Sequence, residues 1–160
     1  MLKILGRPAV ILVAAVATVV YGSPTFACDC APAPVARALR DADLVFSGIV
    51  TSVRLAQKAL SEGEALTIVE LTPGKWWKGA PLQAVTLHTH RNLFTCEGYE
   101  FVVGESYVVF ARRNTVGTAE RYGLRPSTVT YGVTLCGGTT PQRTGPGGRL
   151  EEELDRLAVR

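Results

Sequence analysis

Charge is scarce in these 160 residues: Asp, Glu, Lys and Arg make up 19% of the chain, against about a quarter in an average globular domain. That excludes a solvated polyelectrolyte, and the 16 glycines speak against a helical repeat. The length excludes a two-domain enzyme, because a single core of ordinary size occupies the whole chain. Also missing are the Gly-x-Ser-x-Gly elbow, the His-Glu-x-x-His zinc motif and a phosphate-binding glycine loop. Enzymatic activity and a cofactor are therefore not expected. Glu62 and Glu64 lie close in sequence, but a solvated turn accounts for them better than a paired acid and base. The formal net charge of +3 includes Lys3 and Arg7 and falls to about +1 without them, which predicts no strong pull toward nucleic acid or an anionic membrane.

What is present begins with a cationic start. Met1 to Arg7 carries two cations, and Ala9 to Val20 is apolar except for Thr18 before Tyr21-Gly22-Ser23-Pro24 breaks the run. This is the layout of a secretory signal peptide. Its strongly apolar core is well short of the roughly 20 residues of a membrane-crossing helix. Residues 1–27 are thus expected to be cut off, leaving no membrane span and a secreted or envelope-located protein. Ala27, with Thr25 two positions earlier, puts the cut before Cys28. Lipid modification of Cys28 is the competing reading, but Thr25 and Phe26 stand where a lipoprotein signal usually carries a Leu-like and a small residue.

The four cysteines are Cys28, Cys30, Cys96 and Cys136, an even number in a chain expected in an oxidising compartment, so two disulfides are predicted. A Cys28–Cys30 bridge would close a very small strained ring. Two pairings remain open, and both tie the start of the mature chain to its body twice. Ala31-Pro32-Ala33-Pro34 holds that start extended, so Cys28 and Cys30 point one way and Asp29 the other. The result is a rigid amino terminus with Asp29 facing outward.

Val35 to Ala42 reads as a short helix after a proline start. Strands are predicted at Leu44–Val53, with Gly48 as a bulge, at Ala65–Leu71 running on past Pro73-Gly74 to Lys78, and at Gln83–His90. The continuous apolar run Tyr107–Ala111 suggests a strand buried on both faces, and Arg121–Leu124 and Val129–Leu135 supply one or two more. Thr139 opens a linker composition, TTPQRTGPGG, and Leu150, Leu154 and Leu157 then fall at helical spacing in a terminal amphipathic helix expected to dock on its own domain. The fold class is mainly β: a small closed or sandwiched structure of five or six strands, with a short N-terminal helix and a C-terminal amphipathic one.

Two further features have a bland and a sharp reading. His88-x-His90 places both imidazoles on one strand face, a geometry able to hold a metal, but exposure on a polar edge is the stronger reading, and no metal of its own is expected. Trp76-Trp77 between Lys75 and Lys78 suits base stacking; export and near-neutral charge favour instead one Trp in the core and one facing outward. A Cys-x-Cys redox site is disfavoured because proline follows the pair, where thiol oxidoreductases use Cys-x-x-Cys at a helix start.

Cys28-Asp29-Cys30-Ala31-Pro32, the Asp43–Val53 strand, Val69–Gly79 ending in Trp77-Lys78-Gly79, Cys96-Glu97-Gly98-Tyr99-Glu100-Phe101 with Val103-Gly104-Glu105-Ser106-Tyr107, and Leu135-Cys136-Gly137-Gly138-Thr139 resemble the bacterial relatives of tissue inhibitors of metalloproteinases. These are netrin-like modules with an OB-fold. The resemblance spans residues 28–139, with 140–160 as linker and terminal helix outside it. It implies the pairing Cys28–Cys96 and Cys30–Cys136, each long loop being worth about 4–5 kcal/mol on chain-entropy grounds. It also implies that the Cys28 amine and carbonyl chelate the zinc of a partner protease, with Asp29, Cys30 and Ala31 making up the rest of the contact ridge. Family members usually carry a small hydroxyl residue where this chain has Asp29, and an unpaired carboxylate is costly in an apolar specificity pocket. The expectation is an exported protein-binding module, inhibitory toward a zinc metalloprotease in its sharpest form, the alternative being a non-inhibitory envelope or extracellular interaction module.

Overall fold

β-Branched and aromatic residues dominate the segments between the Gly and Pro breaks, and they form strands whose two faces are buried against different things. The computed structural model describes residues 30–31, 33–56, 65–91, 98–114, 130–142 and 148–158. Helix α1 (Val35–Asp41) precedes strands β1 (Leu44–Leu55), β2 (Ala65–Lys78), β3 (Val85–Arg91), β4 (Ser106–Arg113) and β5 (Tyr131–Gly132). A 3-10 turn at Leu135–Gly137, the two-residue strand β6 (Thr140–Pro141) and helix α2 (Gly148–Ala158) follow.

The strands run β1-β2-β3-β5-β4, and β4 pairs back onto β1, closing a five-stranded barrel with β6 as an added strand. The β1–β4 register is unbroken from Leu44↔Ala111 to Ile49↔Ser106, whereas β1–β2 shifts register three times. Pro73 faces Gly48 at one of these irregularities. A residue with no N–H fits a strand only where a bulge already interrupts the ladder, which is why β2 continues through Pro73-Gly74 as one element. β3 and β5 are the parallel pair, through Leu87↔Tyr131 and His88↔Gly132. The barrel is closed and OB-fold-like, as the resemblance implies, which decides between the closed and sandwiched arrangements that the spacing of the segments left open.

Alternation explains the uninterrupted apolar run on β4. Tyr107, Val109 and Ala111 join Phe46, Val50, Val69, Leu71 and Leu87 inside the barrel. Val108 and Phe110 point the other way, into a second cluster with Val45, Trp77 and Leu154. That outer cluster is roofed by α1 and α2 through Val35, Leu39 and Leu150. Each face of β4 is therefore apolar for its own reason, as side chains of period two require. The terminal helix docks on its own barrel, with Leu154 fully buried.

Gly79 ends β2 at φ +91°, and a Cβ there would collide with the Leu44 side chain, so only glycine permits this exit. Several boundaries differ from the sequence reading. The segment expected as a strand up to Leu135 keeps only Tyr131–Gly132, because Leu135 enters the 3-10 turn. Thr140–Pro141 pairs with β4 at Tyr107↔Pro141 and Val108↔Thr140, so the sheet reaches into the linker composition. The predicted strand Arg121–Leu124 and the carboxylates Glu62 and Glu64 lie outside the described residues. No helix among the described residues is long and apolar enough to cross a membrane.

Candidate functional site

Cys30 bridges Cys136 with their Cα atoms 5.3 Å apart, linking positions 106 residues distant in the chain. The crossed pairing of Cys30 with Cys96 is thereby excluded. Cys28, Asp29 and Cys96 lie outside the described residues, and with them the Cys28–Cys96 bridge. Cys136 sits in the 3-10 turn, which ends on Gly138 at φ 97°, a left-handed conformation that glycine adopts freely. The next residue, Thr139, is buried, and its Oγ1 accepts the Phe110 N–H at 3.0 Å. The bridge is thus anchored beside β4, a strand paired with β1, β5 and β6. Ala31, one residue on from Cys30, is exposed.

Leu135, next to Cys136, lines a groove of about 500 Å³ at one end of the barrel. Val53 and Leu55 from the end of β1 form one side, and Tyr99 and Phe101 the other. Tyr99 is held by its N–H on Thr89 Oγ1 at 2.8 Å and by ring contacts with Phe101 at 4.8 Å and Tyr107 at 6.0 Å. Burial, reinforced by Tyr107 and Glu105, pushes the Tyr99 phenol up to about 12, so it stays neutral and serves as packing and hydrogen-bonding surface. Arg54, His90 and Glu100 give the groove a polar margin.

The segment Val103-Gly104-Glu105-Ser106-Tyr107 works as a clamp. Tyr107 Oη accepts the Val102 N–H at 3.0 Å and donates to Glu105 Oε2 at 3.2 Å, while Gly104 N–H reaches the Val50 carbonyl at 2.8 Å. Burial also raises the Tyr107 pKa, keeping the hydroxyl able to donate. The clamp holds Val102 and Val103 outward, 49% and 58% exposed, and Ile49 on β1 is half-exposed. Sequence reasoning did not single out these three as surface; the apolar pair directly before a Gly-Glu turn was the available signal.

One sequence reading is corrected by the packing. His88 is not exposed on an edge but buried, at 6% exposure, although Thr86, two residues earlier on β3, is exposed. Of the tryptophans, Trp77 points away from the barrel interior and is buried under the helices, while half-buried Trp76 stacks on Phe46 at 4.8 Å against the barrel core. No group of three or more His, Cys, Asp and Glu side chains is placed to hold a metal among the described residues.

The features brought together here are a segment held by the Cys30–Cys136 bridge, a groove lined by Leu135, the neighbour of Cys136, and the exposed Val102 and Val103. No protein-family model matches the chain, and no curated protein matches it.

Proposed function

We propose that the protein is an exported, disulfide-stabilised binding module that presents its processed amino terminus to another protein, and that it inhibits a zinc metalloprotease. The observation that carries this reading is the Cys30–Cys136 bridge, which fastens the chain two residues after Cys28 to the barrel wall beside an apolar groove. Chain termini are ordinarily the loosest part of a domain, and a terminus pinned this way loses little entropy when it binds. Cut before Cys28, the chain offers a free α-amine and a carbonyl on one residue, a five-membered chelate suited to the open coordination position of a catalytic zinc. An α-amino group titrates near 7.7–8.0, so a useful neutral fraction exists at physiological pH. The resemblance to the metalloproteinase inhibitors supports the same assignment, with Asp29 and Ala31 flanking the chelating residue and Asp29 steering the protein toward proteases with a polar or basic specificity pocket.

The test is inhibition of a panel of zinc proteases by protein beginning at Cys28, compared with protein carrying one extra alanine before it. Inhibition by the first and not the second is expected. A free Cys28 amine with no inhibition of any panel member leaves the second reading, a non-inhibitory extracellular interaction module, favoured by the exposed Ile49, Val102 and Val103. That ridge needs no chelating terminus.

A further inference from the structure

Strand β1 pairs with β2 from Val45 to Leu55, but with β4 only from Leu44 to Ile49. Val50 closes the second ladder: its N–H donates to the Glu105 carbonyl at 3.0 Å and its carbonyl accepts the Gly104 N–H at 2.8 Å. By Tyr99 the neighbouring chain has crossed to β3, where its N–H bonds Thr89 Oγ1. The far half of β1 is left with one side unpaired among the described residues.

Register decides which backbone groups that side presents. Ala56 N–H donates to the Leu66 carbonyl at 2.7 Å, toward β2. Backbone direction alternates along a strand, so Arg54 also bonds toward β2, while Val53 and Leu55 turn their N–H and C=O groups the other way. Both are exposed apolar residues, and both line the groove whose far wall is Tyr99 and Phe101. Four ladder groups therefore border an apolar space of about 500 Å³. An open strand edge is a template for another strand, which would complete the hydrogen bonds and lay alternate side chains against Val53 and Leu55.

The charge at Arg54 selects the occupant. A second copy of the same edge, paired antiparallel so that all four groups are used, is centred on Arg54 and sets two like charges directly opposite, which destabilises a ladder. A different chain with a carboxylate at that position makes an opposite-charge pair instead. Arg54 lies 3.8 Å from Glu70, but a pair between half-exposed groups is worth little and leaves the guanidinium open to a second carboxylate.

We propose that the Val53–Leu55 edge binds an extended segment of another protein as an added antiparallel strand, the segment reading apolar–acidic–apolar with its acidic residue opposite Arg54. The edge uses no part of the Cys28 amine, so the proposal stands apart from the inhibitory reading.

The probe is the peptide acetyl-Thr-Val-Asp-Val-Thr-amide. Titrated into the protein and followed by NMR, it should shift the Val53 and Leu55 amide signals saturably and slow their hydrogen exchange, a signature that contact through side chains alone does not give. Methylating both valine nitrogens of the peptide should weaken binding about tenfold, the loss of two neutral hydrogen bonds. Replacing its Asp by Lys should weaken binding about threefold, and Arg54→Glu should reverse that preference. Val53→Pro, which removes a donor that β2 does not use, should lower affinity with the β1–β2 pairing unchanged. Should that variant fail to fold, the methylated peptide makes the same test on the native chain. Equal binding of the methylated peptide, an Asp preference that survives Arg54→Glu, or absence of saturable shifts overturns the proposal. So does concentration-dependent protection of Val53 and Leu55 without peptide, which makes a second copy the occupant.

Discussion

The indole Nε1–H of Trp77 donates to Asp155 Oδ1 across 2.7 Å, joining the end of strand β2 to the terminal helix. Lys75 Nζ reaches Oδ2 of the same carboxylate at 2.7 Å and stands 5.3 Å from the centre of the Trp77 ring. One exposed aspartate thus sets the rotation of α2, while Leu154, its neighbour in sequence, supplies the burial. Leu154→Ala should cost about 2–5 kcal/mol in denaturant unfolding, the range for emptying a packed core site. Asp155→Ala should cost clearly less and should alter near-ultraviolet circular dichroism of the tryptophans. Equal losses for the two would place the helix's stability in its polar contacts and not in its apolar face.

Stability should fall with acid in two steps. The His88 pKa is held below 6.5 by burial, so the unfolded chain takes up its proton first. The stabilisation is complete above 6.5 and declines as pH drops from there toward the folded value. The Asp155 pKa is held below 3.8 by the hydrogen bonds from Lys75 and Trp77, so its contribution is present above 3.8 and is lost below it. Melting temperature measured against pH should show the first decline in the native protein and a flatter profile in His88→Phe over the same interval. An unchanged slope in that variant would assign the decline to other groups.

Replacing Cys30 and Cys136 by alanine should lower stability by about 2–5 kcal/mol, the usual loss for a native bridge in a small domain. If the proposed function is correct, inhibition should fall further than stability does, because the terminus is released while the barrel persists. The comparison is inhibition measured well below the melting temperature of the variant.

Gly79→Ala should destabilise by about 1–3 kcal/mol, the cost of holding a side chain at φ +91° against Leu44. Pairing it with Leu44→Ala should recover part of the loss, since the collision is with that side chain. A double variant no better than the sum of the two would attribute the cost to backbone strain alone.

Local chemistry made most of the elements legible. The alternation of Val85 to His90, the apolar run on β4 and the leucine spacing of α2 are periodicities that survive in any surroundings, because an apolar stripe must be covered by something. The shift at Gly48 followed from glycine within a β-branched run, and its partner Pro73 explains why both are tolerated. The candidate site is legible where it is covalent: an even number of cysteines marks Cys30 and Cys136 as bridge members, and the resemblance implies that they pair with each other. The groove was not, because Val53, Leu55, Tyr99, Phe101 and Leu135 come from separate segments and meet only when the barrel closes.

By itself, then, the sequence determined a small, mainly β chain, its break points and its cysteine framework, since propensity, period and covalent reach act over a few residues. Only the tertiary structure decided which outward faces are covered. It buried His88, which the sequence reads as an exposed edge histidine, and decided that Trp77 is the tryptophan seated under α2, because burial depends on what packs above a residue and not on what flanks it in the chain.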